Sequence, residues 1–204
     1  MSENIVSPAH PAVTIETERL HLRRHRVEDL RDDLAMWSDP EVVRFLGPCQ
    51  SEEDVWAKIL RYIGHWSVFG YGIWAVREKA SGRFVGDVGI AHFKRELTPD
   101  VGDAPEAAWV TARWAHGQGF ASEAVQAAHG WFHKQFGPLR TVCLISPGNT
   151  GSLRVAEKCG YQECGLAEYK GHTTIVFERE PLGGPPPHPS PPRSTKEGGE
   201  GGTD

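Results

Sequence analysis

Two hydrophobic periods alternate along the chain, and the points where one gives way to the other outline its elements. Leu20 and Leu22 share a face of the alternating run Thr17–Arg23, which predicts a strand. Val27, Leu30, Leu34 and Trp37 then recur at the spacing of one helical face, so a helix is expected over Val27–Trp37. Asp39-Pro40 interrupts it, and Val42, Val43, Phe45 and Leu46 open a second, short helical piece. Ser51 followed by Asp54 is a helix-start signal for a segment with Val55, Ile59, Tyr62 and Ile63 on one face. Tyr71–Glu78 and Arg83–Phe93 read as two strands joined by the turn Lys79-Ala80-Ser81-Gly82.

After a polar loop, Lys94–Pro105, the stretch Glu106–Phe136 changes period within itself. Trp109-Val110-Thr111 has strand character, and His116-Gly117-Gln118-Gly119 is a turn. Phe120, Ala124, Val125, Ala128, Trp131, Phe132 and Phe136 then form a helical stripe. Arg140–Ile145 predicts another strand, broken by Pro147-Gly148-Asn149. Ser152–Cys159 predicts a short helix stopped by Gly160, and Tyr161–Tyr169 with Thr173–Arg179 a closing hairpin. This order predicts a single α/β (α+β) domain with one mixed sheet of about seven strands flanked by helices. Its expected limits are residues 14–181, after a flexible lead-in at 1–13 and before a Pro/Gly-rich tail at 182–204 whose composition predicts disorder.

Composition narrows the possible partners. A formal net charge of −5 and scattered basic residues argue against nucleic acid. No apolar run has the length of a membrane span, and the N-terminus lacks the basic and apolar regions of a secretory signal. A soluble, cytoplasmic protein is therefore expected. Cys49, Cys143, Cys159 and Cys164 lack C-x-x-C spacing and are expected as reduced thiols. His129 and His133 stand one helical turn apart, but with no third ligand evident they are expected on a solvated face, and no metal is expected.

The chemistry concentrates at the Gly-rich turn. A glycine turn opening a helix leaves backbone N–H groups free and adds the positive end of the helix dipole, a place to hold a phosphate. A P-loop would need Lys-Ser/Thr after its last glycine, where this chain has Phe120-Ala121. A dinucleotide fingerprint would need a third glycine, where this chain has Ser122. The pyrophosphate of coenzyme A needs such a turn together with a strand edge for the pantetheine amides, and strand, turn and helix supply both in order.

The segments, taken together, resemble the GNAT-fold N-acetyltransferases, in particular the group of ribosomal-protein alanine acetyltransferases (RimJ/RimL type). Thr17–Arg23 is similar to the opening strand of that group, Ser38–Leu46 to its next signature, and Ser81–Gly86 to the hairpin before the third strand. His116–Ala121 falls on the Arg/Gln-x-x-Gly-x-Gly/Ala loop, and Asn149, Ser152 and Glu157–Tyr161 on the Asn-x-x-Ser…Glu-Lys-x-Gly-Phe block. The resemblance implies acetyl-CoA as co-substrate and a primary amine as acceptor, either a small molecule or a protein N-terminus, in a monomer or homodimer. It implies that Trp109, Val110, Thr111, His116, Gly117, Gln118, Gly119, Phe120, Ala121, Ser122, Asn149 and Ser152 hold the CoA. Ser152 is also implied as proton donor to the departing thiolate, since Ala156 stands where many GNAT enzymes carry a tyrosine. His116 departs from the Arg or Gln of the family.

Direct attack on a thioester needs an uncharged amine, donors for the thioester oxygen and a base. Glu106, with apolar neighbours able to raise its pKa, is one candidate base. Glu168, similar to a glutamate proposed for that role in the RimL-type enzymes, is the other. Backbone N–H groups of Val110 or Thr111 are the expected oxygen donors. Glu123, early in its helix, is expected to serve the helix dipole. The rival from another class is a non-catalytic acyl-CoA-binding or sensor module, and a nucleotide-binding oxidoreductase domain is a weaker third.

Overall fold

In the computed structural model, residues 13–181 are described; nearly all of the lead-in and the whole tail lie outside them. Eight strands form one sheet: β1 (Thr14–Glu16), β2 (Leu20–Arg24), β3 (Ile73–Glu78), β4 (Phe84–Ala91), β5 (Glu106–Thr111), β6 (Thr141–Ile145), β7 (Gln162–Tyr169) and β8 (His172–Arg179). Their spatial order is β1-β2-β3-β4-β5-β6-β8-β7. All neighbours are antiparallel except β5 and β6. The eighth strand is β1, three residues too short to show a period; it exists because it pairs with β2.

Helices cover both faces. On one lie α1 (Leu30–Trp37, entered through a 3-10 turn at Val27–Asp29), α2 (Pro40–Val43) and α3 (Glu52–Phe69). Met36, Trp37, Val43, Val55 and Ile59 pack there against Ala75 and Phe84. On the other lie α4 (Phe120–Phe136) and α5 (Thr150–Lys158), whose Phe120, Ala124, Val125, Ala128, Phe132 and Ala156 join Leu20, Leu22, Trp74, Val76, Val88 and Ile90. Covered on both faces, β4 is buried at every residue, which is why it reads as a near-continuous apolar run. α3 begins where expected: the Ser51 hydroxyl accepts from the Asp54 N–H, and Asp54 answers the Ser51 N–H. No helix among the described residues is long and apolar enough to cross a membrane.

Cys143 and Cys159 are buried, Cys164 is half-buried and Cys49 exposed, all as free thiols. One expectation about the helices fails. His129 is not on a solvated face: it is buried, its Nε2 lies 2.9 Å from the Tyr161 hydroxyl, and Arg179 Nη1 donates to its Nδ1 at 3.1 Å. Burial, reinforced by the Arg179 charge, holds this imidazole down to about 3, so it is neutral at working pH.

Two features carry predictions. Gly86 adopts φ +150°, and a Cβ there would stand 2.0 Å from the Val110 carbonyl oxygen on β5. Gly86→Ala is expected to destabilise by about 2 kcal/mol or more, read from the urea midpoint. Asp29 is buried and held by Arg23, Arg77 and the Arg26 N–H. Burial works against its charge, but these donors win and hold the carboxyl at about 2. A depressed folded-state pKa means stability present above the unfolded value and lost as pH falls toward about 2. Asp29→Asn should therefore cost about 2 kcal/mol near neutrality, and its deficit should shrink through acid titration.

Candidate active site

The site is made by a separation of strands. β5 and β6 run parallel with a single registered pair, Glu106 with Val142, where the Val142 N–H donates to the Pro105 carbonyl at 3.0 Å. Beyond it the two strands part. The Ala112 N–H donates to the Val85 carbonyl at 2.8 Å, which fixes the phase of β5. By alternation the Val110 N–H also faces β4, while those of Trp109 and Thr111 face the gap. Trp109 and Thr111, not Val110, thus present the free amides of the strand, and β5 is half-buried from Ala108 to Thr111 because the gap exposes it.

The Gly-rich turn stands at the wide end. Gly117 and Gly119 take φ +76° and +81°, a conformation that side chains strain to adopt, and no atom comes within 4 Å of a Cβ placed at Gly117. The N–H groups of Gly117, Gln118, Gly119, Phe120, Ala121 and Ser122 have no protein acceptor among the described residues; the first bond of α4 is from the Glu123 N–H to the Gly119 carbonyl. Six donors and the positive end of a 17-residue helix therefore converge on solvent. Arg19 braces the turn, donating to the Gln118 carbonyl at 2.9 Å and pairing with Glu123 at 2.6 Å, while its guanidinium covers the Phe120 ring. Glu123 also accepts from the Thr17 hydroxyl and the Arg19 N–H, and although burial opposes its charge these donors keep its carboxyl below the ordinary value. His116 turns back toward the strand, and its Nε2–H donates to the Thr111 carbonyl at 2.9 Å.

Across the gap, Asn149 caps α5 by accepting from the Ser152 N–H at 3.1 Å. The Ser152 hydroxyl accepts from the Trp109 indole N–H at 3.3 Å, so its own proton remains free to be donated. β5 and α5 are thus joined over the gap by a side chain from each.

At the closed end, Glu106 is 8 % exposed and gripped by Arg95 through a two-pronged pair, Nε to Oε2 at 2.6 Å and Nη2 to Oε1 at 2.8 Å. Burial raises its carboxyl above the ordinary range, and Arg95 opposes the rise. The Arg95 guanidinium also lies over the rings of Phe93 and Tyr169, at 4.7 and 5.0 Å. Arg95 comes from the Lys94–Pro105 loop, which is fastened to the edge of β7 by paired backbone bonds between Thr98 and Glu168. Glu168 itself is exposed, with one carboxylate oxygen accepting from the Thr173 hydroxyl at 2.6 Å. A cavity of about 280 Å³ sits here, lined by Arg95, Asp100, Asp103, Glu106, Val142 and Leu144 among others. Val142 and Leu144 alternate with Cys143 and Ile145, which belong to the α4 face, so the cavity opens on the side of α1–α3.

Of the residues expected from sequence, Trp109, Thr111, His116–Ser122, Asn149 and Ser152 gather around the gap, and Glu106 lies at its closed end. Glu168 lies on β7, where Thr98 fastens the loop that walls the cavity. Arg95 was missed: a lone arginine in a polar loop carries no pattern that marks it as the partner of a strand residue.

Comparisons with known proteins assign this architecture to a family. Residues 19–162 match the acetyltransferase (GNAT) domain family. The chain belongs to the GNAT acetyltransferases. It is an acyltransferase by that membership. Among its relatives is the uncharacterised YkkB of Bacillus subtilis (strain 168), 27 % identical over 172 residues, covering 80 % of this chain and 94 % of YkkB. A Bordetella pertussis protein assigned to the GnaT acetyltransferase family superposes with a TM-score of 0.73 at 27 % identity, over 82 % of this chain and 99 % of that one. RimL, the ribosomal L7/L12 alpha-N-protein acetyltransferase, solved in complex with coenzyme A, superposes with a TM-score of 0.66 at 16 % identity, over 82 % and 98 %. At that identity the likeness to RimL is one of fold.

Arg95→Met should leave the Glu106 carboxylate buried without a counter-charge, costing about 3 kcal/mol near neutral pH. Because the folded-state pKa of Glu106 then rises further above its unfolded value, the loss should fade below the unfolded pKa and grow as pH rises through the folded one. Urea titrations of both proteins at several pH values check this.

Proposed function

We propose that this GNAT acyltransferase moves the acetyl group of acetyl-CoA to a primary amine by direct attack within a ternary complex. The observation that carries the proposal is the pairing of the β5–β6 gap with the six free N–H groups of Gly117–Ser122. These residues fit coenzyme A: the turn offers donors and a helix dipole to a pyrophosphate, and the gap-facing amides of Trp109 and Thr111 suit the amides of pantetheine. Acetyl-CoA, when bound, supplies an activated acyl group on a thiol leaving group.

The side chains then divide the work. The Trp109 N–H, farther along β5 from the glycine turn, donates to the thioester oxygen as negative charge builds on it, and the Thr111 N–H is left to hold pantetheine. The Ser152 hydroxyl, held by the Trp109 indole and sited in the first turn of α5, gives its proton to the departing thiolate. Glu168, with one carboxylate oxygen outside its bond to Thr173, takes the amine proton, directly or through water. Glu106 has both oxygens in the grip of Arg95, so it holds the wall of the acceptor cavity and is the weaker base. The cavity on the α1–α3 side receives the amine, a small molecule or the first residue of a protein. A cytoplasmic site of action agrees with four free thiols.

Acceptor-dependent release of CoA thiol, measured over a panel of N-terminal peptides, amino acids, polyamines and aminoglycosides, tests the proposal. Binding of acetyl-CoA with no release from any amine would instead mark a non-catalytic acyl-CoA sensor. Ser152→Ala and Glu168→Gln should each lower kcat by about tenfold or more with little change in the KM for acetyl-CoA, whereas Glu106→Gln should act mainly on the acceptor KM.

A further inference from the structure

We propose that His25, Asp33 and Asp87 form a buried site for one divalent transition-metal ion, apart from the acyl-transfer site. The three come from different elements: His25 directly follows β2, Asp33 lies on α1, and Asp87 is the one charged residue of β4. Their side chains are 0, 1 and 2 % exposed. One donor atom from each lies within 4.8 Å of the others. His25 Nε2 stands 3.0 Å from Asp87 Oδ1 and 3.7 Å from Asp33 Oδ2.

The surrounding hydrogen bonds explain why a cation belongs between them. His25 Nδ1–H donates to the Ile73 carbonyl at 3.3 Å, which turns the Nε2 lone pair toward the two carboxylates. A backbone carbonyl on the remote ring nitrogen is how metal-bound histidines are oriented. The Trp37 indole N–H donates to Asp87 Oδ2 at 3.0 Å and so fixes Oδ1 on the inner side. Both oxygens of Asp33, by contrast, are buried with no hydrogen-bond partner. A carboxylate in that position is costly unless a cation compensates it. The nearby Lys58 ammonium sits over the Trp37 ring at 3.3 Å and forms no ion pair with either carboxylate among the described residues. Three lone-pair donors therefore face one another, and a single divalent ion satisfies all three.

The donor set favours zinc or a similar ion. One imidazole and two carboxylates suit zinc, cobalt or iron, whereas calcium would need six or more oxygens. Bonds of about 2.1 Å in tetrahedral geometry place ligands about 3.4 Å apart. The observed 3.0 and 3.7 Å bracket that value, so small side-chain shifts would complete the site. Asp87 is paired in register with Val110 of β5, so the ion would tie β2, α1 and β4 together directly behind the strand that borders the gap.

Protein expressed in minimal medium supplemented with zinc or cobalt tests the site by elemental analysis and, for cobalt, by visible absorption bands of a low-symmetry Co(II) centre. The expected result is about one ion per chain, a Tm lowered by about 5 °C or more after chelation, and loss of the ion in Asp33→Asn and in His25→Gln. The proposal is overturned if the wild-type protein carries no ion from either medium. It is equally overturned if Asp33→Asn matches the wild type in Tm. An amide that replaces the acid without loss would mean that protons, shared among Asp33, Asp87 and His25, fill the place assigned to the metal.

Discussion

The parting of β5 from β6 is the constraint on which the rest of this protein depends. Parallel pairing at Glu106 and Val142 holds the strands together at one end, and among the described residues no second registered pair joins them at the other. A strand with free amides in the middle of a sheet would ordinarily be a defect, because each unpaired buried donor costs free energy. Here the defect is kept open by what flanks it. Trp109 reaches over to Ser152, and His116 occupies the Thr111 carbonyl, so the edges of the gap are fixed while the Trp109 and Thr111 amides remain free. The same gap brings the start of α4 within reach of anything lying along β5.

The two ends of the gap are built by different physics. At the wide end the working groups are backbone N–H donors, positioned by glycines and a helix dipole and braced through the Arg19–Glu123 pair. Such a site tolerates variation in its side chains, which is why histidine at position 116 does not exclude the family's ligand. At the closed end the working groups are side chains on a loop, Arg95 and the residues around it, anchored by Thr98 to the edge of β7. That end has few repeated backbone features and is the part free to differ between members of one fold, which is why the proposed function assigns acceptor choice to it.

Several features were legible in the sequence because they rest on local rules. The Ser51–Asp54 cap, the stripe of α4 and the strand β4 follow from period and turn chemistry, and the structure has them where expected. The glycine turn was legible because positive φ has few other solutions. His129 was not: its stripe position is polar, and only the arrival of Tyr161 and Arg179 from distant segments makes burial affordable. Arg95 and the His25–Asp33–Asp87 cluster escaped for the same reason, since each partner lies on a different element. Asn149 and Ser152 were visible as a helix start, yet the indole that engages Ser152 was not.

By itself, then, the sequence determined the succession of strands and helices, the helix ends and the turn with its free N–H groups, because each depends on residues within a few positions of one another. Only the tertiary structure decided which amides of β5 face the gap, which glutamate is locked by Arg95 and which polar groups are buried together. Those outcomes depend on sheet register and on chain segments tens of residues apart, and no local period encodes either.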